Sequence, residues 1–411
     1  MILHSFVDYY QALEAHGGVS RPGWAKVKVS YALEIDENGG LVDILPLMTN
    51  AEGKKKARPR EMELPAPVVR TVGEVSNFLW DNASYFVGID AKGNPEKTKK
   101  RFLKAKELHL SLLSEIDDAF AKAICSYFST WDIASARQNP IVNGHIEELE
   151  SGANLVFMFR EGFPPDKTGI KAAWQHYYDS SPEYENVMRC LVSGELTEAM
   201  KTHPPIKGVM GAQSSGATLV SFNAPAYCSY GHEQNINAPV GKYAAFAYTT
   251  ALNSLLSDRE HTKIIGDTTV VYWAEDADTQ TQDAFACILD GGDTVSNADL
   301  DGFMTAISQG RNANWNGLPV FPDNRFYVLG LSPNAARLSV RFFLQDTFGG
   351  IVKHIKEHYD RLEVAADGRG KRGPIPLWAL LRETVNPKSS SKAASPQMAG
   401  DTLRAILTGG P

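Results

Sequence analysis

Cysteine is scarce in this chain: Cys125, Cys190, Cys228 and Cys287 are the four among 411 residues, and no two form a C-x-x-C pair. Spacing this wide offers neither a disulfide framework nor a zinc ribbon, so free thiols in a reducing, cytoplasmic compartment are expected. His232 is the one close neighbour of a cysteine, which leaves a zinc site short of ligands. Long apolar runs are missing as well. The most apolar stretch, residues 240–256, is interrupted by polar residues, so no membrane span is expected. The amino terminus, MILHSFVDYYQALEAHG, lacks the basic region and apolar core of a secretory signal. Catalytic signatures are equally thin. Ser214 and Ser215 do not lie in G-x-S-x-G, and no H-E-x-x-H occurs. His354 and His358 share a helical face, but no carboxylate motif completes a metal site there. Gly211, Gly216 and Thr218 match the phosphate-loop spacing G-x-x-x-x-G-K-[ST], yet Ala217 stands at the lysine position. Without that lysine the β- and γ-phosphates of a nucleoside triphosphate lose their main charge partner. No catalytic residue, metal or cofactor is therefore expected.

Nor is there an overall excess of positive charge: 41 Lys and Arg against 48 Asp and Glu give a net charge of −7. That argues against an indiscriminate nucleic-acid coat but leaves room for a localised basic site. Hydrophobic content of 43% and charged content of 22% are those of a globular protein, long enough for two or three domains.

What is present reads as α+β. Residues 3–16 predict a helix ended by Gly17 and Gly18. Residues 25–35 alternate, with Val27, Val29, Tyr31, Leu33 and Ile35 facing one way, and Asp36-Glu37-Asn38-Gly39-Gly40 turns the chain into a second run, residues 41–47. This is a β-hairpin signal. Residues 50–63, NAEGKKKARPREME, read as a mobile loop, with a strand near 67–71. Residues 96–129 read as helical, basic at first and then apolar, with Phe102 and Leu103 turned to the core. Further strands are expected at 155–160, 217–222 and 268–274, and helices at 168–178, 184–201, 240–257 and 298–309. Strands 325–331 and 338–343 should pair across Ser332-Pro333-Asn334, followed by a helix over 347–362. Residues 386–400, NPKSSSKAASPQMAG, read as a linker to a short helical start capped by Asp401, too short to be stable alone. This divides the chain into an amino-terminal region, 1–130, with a basic loop and basic helix. A central body, 131–385, follows, and then 386–411, the start of a truncated helical region.

Three segments carry candidate chemistry. Lys54, Lys55, Lys56, Arg58 and Arg60 place five cations in seven positions, a local attractor for phosphates in an otherwise acidic chain. A solvated loop without a partner is the bland alternative. In residues 97–106, Lys97, Lys100, Arg101 and Lys104 fall on or near one helical stripe that could track a phosphate backbone or simply face water. Between these blocks Asn77, Asn82 and Tyr85 could present amides and a phenol to a groove, although turn-forming is the simpler account of Asn82. The richest segment is residues 207–237, KGVMGAQSSGATLVSFNAPAYCSYGHEQNIN. Gln213, Ser214 and Ser215 lie between two glycines, and Asn223 follows. Glycine lets backbone approach a ligand closely, and glutamine reaches base edges or wedges between base pairs. A well-packed loop bonding to itself is the alternative.

Residues 221–256, SFNAPAYCSYGHEQNINAPVGKYAAFAYTTALNSLL, followed by GDTTVVYWAE at 266–275, closely resemble the large subunit of the type I-C CRISPR interference complex, Cascade. MILHSFVDYYQAL at the start and DNASYFVGID at 81–90 resemble the same family, so the likeness spans nearly the whole chain. The resemblance implies an antiviral RNA-guided effector in which a guide RNA lies along repeated backbone subunits. It implies a large subunit that sits at the guide end and inspects duplex DNA for the protospacer-adjacent motif. It further implies that this subunit helps open the strands into an R-loop and recruits a separate helicase-nuclease, without cutting DNA itself. Members of this family continue into a helical bundle like the small helical subunit of related complexes, and this chain stops at its threshold. The rival expectations are a nucleic-acid-processing enzyme with a dispersed active site and a scaffold without DNA contact.

Overall fold

The computed structural model describes residues 1–49, 58–68, 70, 74–180, 186–291, 296–363, 375–388 and 394–410. Helices and strands are mixed, as an α+β protein requires, in two units: Ser20–Pro182, and Met1–Val19 together with Glu183–Pro411. The division into these two units falls near residues 20 and 182.

In the unit Ser20–Pro182 the alternating run does not make one strand. It breaks at Ser30: Trp24–Val29 pairs antiparallel with Arg58–Pro65, whereas Tyr31–Ile35 pairs with Leu41–Pro46 and, in parallel, with Asn154–Met158. The second strand is covered on both faces. Val27, Val29 and Ala32 pack with Trp80 and Val156, while Leu33 and Ile35 pack with Phe86, Phe128 and Phe157. Two-sided burial is why Ala32 and Leu33 are both interior and the polar alternation ends. The hairpin turn forms as expected. The Asp36 carboxylate accepts from Asn38 N and Gly40 N, each at 2.8 Å. A Cβ at Gly39 (φ +79°) would lie 2.2 Å from Tyr127 N, so only glycine fits.

The predicted loop 50–63 is in part a strand. Arg58–Pro65 lies between Trp24–Val29 and Met48–Thr49, with Lys26 opposite Glu63 and Lys28 opposite Glu61. Cross-strand charge pairing on the exposed side and burial of Leu64 on the other supply what the composition alone did not suggest. Residues 66–68 form no strand, and 69 and 71–73 lie outside the described residues. The long helical stretch is two helices, Pro95–Leu113 and Ala119–Thr130, the second capped by Asp118, whose Oδ1 accepts from Phe120 N at 2.8 Å. Phe102 is buried, but Leu103 is half exposed.

The other unit is built on a four-stranded antiparallel sheet in the order Thr262–Ile265, Thr268–Ala274, Arg325–Asn334, Arg337–Thr347. Every residue of Thr268–Ala274 is buried. Val270 and Tyr272 face a core shared with the helices Thr279–Asp290, Asn297–Ser308 and Phe348–Arg361. Val271 and Trp273 face the helices Ile2–Ala15 and Lys242–Ser257. Trp273 stacks between Phe6 at 4.4 Å and Tyr327 at 5.1 Å. The hairpin runs on through Ser332-Pro333-Asn334 and turns at Ala335 and Ala336, not before them.

Three expectations are corrected here. Residues 184–201 hold no helix among the described residues but the paired strands Val187–Arg189 and Leu196–Glu198, turned at Gly194 (φ +77°). Residues 217–222 form only isolated bridges, Ile206 to Ala217 and Thr218 to Arg337. The final helix, Pro396–Thr408, starts before Asp401 and is not isolated: Ala399, Leu403, Ile406 and Leu407 are buried in the same core as Ile351 and Ile355. Among the described residues no helix is long and apolar enough to cross a membrane.

Candidate nucleic-acid interface

The glycine- and amide-rich segment is an excursion from the central sheet. Ile206 and Ala217 exchange two backbone hydrogen bonds of 2.8 Å, closing residues 207–216 into a loop. Thr218 then bonds across the sheet's hairpin tip, donating to Ala336 O at 3.1 Å and accepting from Leu338 N at 2.9 Å. Gly216 (φ +101°) accounts for the tight closure, since a Cβ there would meet Pro205 Cβ at 2.7 Å. Its N–H donates to Gln213 O at 2.9 Å, making residues 213–216 a turn with Ser214 and Ser215 at the tip. Gln213, Ser214, Ser215 and Asn223 are all exposed. The excursion holds its shape without their side chains, which leaves amide and hydroxyl groups for a ligand.

Other polar residues of the segment serve the loop itself. Asn235 is buried and donates to Val220 O at 3.3 Å. Asn237 accepts from Ser229 N at 2.8 Å and donates to Gln234 O at 2.9 Å. Tyr227 lies under the Arg337 guanidinium, 4.9 Å from ring centroid to carbon, with its phenol oxygen accepting from Arg337 at 3.3 Å. Arg337 was not among the residues singled out, because 110 positions separate it from Tyr227 and only the hairpin joins them.

In the unit Ser20–Pro182 the candidates separate by burial. Lys54, Lys55 and Lys56 lie outside the described residues; Arg58 and Arg60 follow them, exposed, on the strand Arg58–Pro65. The Arg60 guanidinium rests 5.1 Å over Phe163. Farther along the same strand pair, Lys26 stands opposite Glu63 and Lys28 opposite Glu61.

Asn77, Asn82 and Tyr85 each hydrogen-bond within the fold. Asn77 is 4% exposed and its side-chain oxygen accepts from Val68 N at 3.0 Å. Asn82 caps the helix Ala83–Phe86 by accepting from Ser84 N at 3.0 Å. Tyr85 is 2% exposed, donates to Glu74 at 3.2 Å, and lies between the guanidinium groups of Arg70 at 4.2 Å and Arg101 at 5.4 Å. Arg70 pairs with the buried Asp81. Desolvation pushes the Asp81 carboxyl up from its ordinary value even though Arg70 opposes it. The same cluster engages the basic helix: Arg101 donates to Glu74 at 2.7 Å, with Lys97 at 3.6 Å from the same carboxylate. The Arg101 hydrogen bond, more than any other contact, holds Glu74 below the usual carboxylate range. Lys104 pairs with Glu107 at 2.7 Å. Of the same basic block, Lys100 is exposed and has no ion pair among the described residues, and its neighbour Lys99 is in the same position.

Among the described residues no group of three or more His, Cys, Asp or Glu could hold a metal ion. His354 Nδ1 donates to Leu407 O at 3.0 Å, and not toward a metal partner. No curated protein matches the chain. One family model does, over residues 6–411, and its description is CRISPR-associated protein (Cas_Csd1). The match covers nearly the whole sequence and is the type I-C large-subunit family that residues 221–256 and 266–275 resemble. The chain belongs to the Cas_Csd1 family of CRISPR-associated proteins.

Proposed function

We propose that this protein is the DNA-inspecting large subunit of an RNA-guided type I-C surveillance complex. It docks on the guide ribonucleoprotein beside the repeated backbone subunits and recognises the adjacent motif in target duplex DNA. It then promotes strand opening and recruits a helicase-nuclease. The observation that carries this reading is the excursion at residues 207–216. Exposed Gln213, Ser214 and Ser215 sit on a loop rooted by backbone hydrogen bonds in a buried sheet. A rigid root with an adaptable polar tip is how proteins commonly present groups to a partner, and amide and hydroxyl side chains are suited to base edges. Lys54, Lys55, Lys56, Arg58 and Arg60 supply the sequence-independent phosphate contact, with Lys100 and Lys99 as a second backbone contact. The protein acts by binding, not by catalysis.

The test is reconstitution with guide RNA and partner subunits, then binding to duplexes carrying all flanking sequences. Gln213→Ala should lower discrimination among flanks by about tenfold, the worth of one good base contact, while leaving affinity for the poorest flank unchanged. Equal discrimination in the variant would remove the excursion from motif reading. Divalent-metal-dependent cleavage by the purified chain would contradict the non-catalytic reading.

A further inference from the structure

Residues 229–232 form a turn in which the backbone and its side chain disagree. His232 N donates to Ser229 O at 2.9 Å, and both central residues have positive φ, Tyr230 at +53° and Gly231 at +75°. This is type I′ geometry, whose first central position favours Asn, Asp or Gly. Glycine at 231 fits it without strain; a tyrosine at 230 does not. The side chain gains nothing from its own fold in return. Tyr230 is 97% exposed, and among the described residues its ring stacks on no other. The turn is nevertheless held firmly, because Asn237 ties Ser229 N, His232 O and Gln234 O together with bonds of 2.8, 3.2 and 2.9 Å. A strained, fixed and fully presented aromatic calls for a contact outside the fold.

The surroundings indicate which contact. Three residues earlier, Tyr227 carries Arg337 on its face, and Arg337 has no carboxylate partner among the described residues. Lys207, at the root of the neighbouring excursion, is exposed and has no ion pair among the described residues; Glu233 is an acidic residue beside the turn. Gly211 lies against Pro333 of the hairpin tip that also bears Arg337, so the excursion and this turn share one end of the sheet. Ser229, Gly231 and His232 give Tyr230 no apolar rim of the kind a protein interface core needs. We propose that Tyr230 is a stacking platform for an unpaired nucleobase, with Arg337, steadied by Tyr227, taking the adjoining phosphate. Aromatic faces accept any base, so the site holds single-stranded nucleic acid without reading its sequence. This rests on the nucleic-acid reading above and adds a site for the separated strand.

The experiment uses the full chain and a single-stranded oligodeoxynucleotide containing 2-aminopurine, whose fluorescence falls on stacking. Tyr230→Phe should quench and bind like the unaltered protein. Tyr230→Asn should lose the quenching and weaken binding by about tenfold, without a lower melting temperature, because asparagine suits the turn. Arg337→Gln should weaken binding and its salt dependence while keeping the quenching. Unchanged quenching in Tyr230→Asn, or a Tyr230→Phe variant as weak as Tyr230→Asn, overturns the proposal. So does a Tyr230→Asn variant that binds the oligonucleotide normally but fails to join its partner subunits, which would assign the ring to a protein contact. Motif preference is read separately through Gln213→Ala on duplexes, so either reading can fail while the other stands.

Discussion

His109 sits fully buried among Phe78, Phe86, Phe128 and Phe157, donating from Nδ1 to Ala105 O at 2.7 Å and accepting at Nε2 from Leu79 N at 2.8 Å. The accepted N–H belongs to a residue with φ +67°, so the ring stabilises a backbone conformation that leucine rarely adopts. Burial holds the His109 pKa down, from 6.5 to about 4, and His203, buried in the other unit, is shifted the same way to about 4. The unfolded chain therefore takes up protons between pH 6.5 and 4 that the folded chain refuses, and stability falls as pH falls through that window. For His109 alone the loss reaches about 3 kcal/mol at the acid end. Chemical denaturation of unaltered protein and His109→Gln at pH 7 and pH 4.5 checks this: the difference between the two pH values should shrink in the variant. Gly216 gives a second prediction. Gly216→Ala places a methyl against Pro205 and Ile206 O at positive φ, so it should cost roughly 2 kcal/mol and erase the same discrimination as Gln213→Ala, because the turn presenting Gln213 is lost.

Within elements, charge must be sorted by partner before it is assigned to nucleic acid. On the helix Pro95–Leu113, Arg101 is committed to Glu74 and Ser84, whereas Lys99 and Lys100 face water. Arg101→Met should destabilise the protein by about 2 kcal/mol and leave the salt dependence of DNA binding alone. Lys99→Ala with Lys100→Ala should do the opposite, reducing the slope of log K against log salt by up to about 2. Sequence could not make this distinction. A stripe of cations is visible in the spacing, but Glu74 reaches it from 27 residues away. For the same reason Tyr85 read as a possible surface group when two guanidinium groups enclose it. Local chemistry was legible where local chemistry decides: the Asp36 carboxylate and Gly39 make the hairpin turn, and the β-branched run at Thr268–Ala274 makes the buried strand. The helix expected over 184–201 failed because its turn depends on a distant group. Cys190 Sγ accepts from Val192 N at 3.3 Å and Ser193 N at 3.4 Å, and also from Gly241 N at 3.2 Å.

At the scale of the whole molecule, the fold class was readable from the mixture of helical and strand periodicity, and the family from long, unusual strings. Residues 1–19 join the unit that resumes at Glu183, because Phe6 and Tyr10 complete the core beneath Trp273 and Lys242–Ser257. The exposed tip at Gln213 was legible from its glycines; Arg337 and Tyr230 were not, since their setting exists only once the hairpin tip and the Asn237 bonds have formed. In the proposed function, phosphate attraction and motif reading belong to different groups, the lysines at 54–56 and the tip at Gln213. The measurement that tests this most directly is a double-mutant cycle on duplex binding by the assembled RNA-guided complex. It compares Lys54/Lys55/Lys56→Ala, Gln213→Ala and their combination over a range of salt concentrations. The lysine change should weaken every duplex and lower the salt slope by about 2 to 3, Gln213→Ala should remove only the preference for the motif, and the two effects should add. Full binding and full motif preference in both single variants would contradict it.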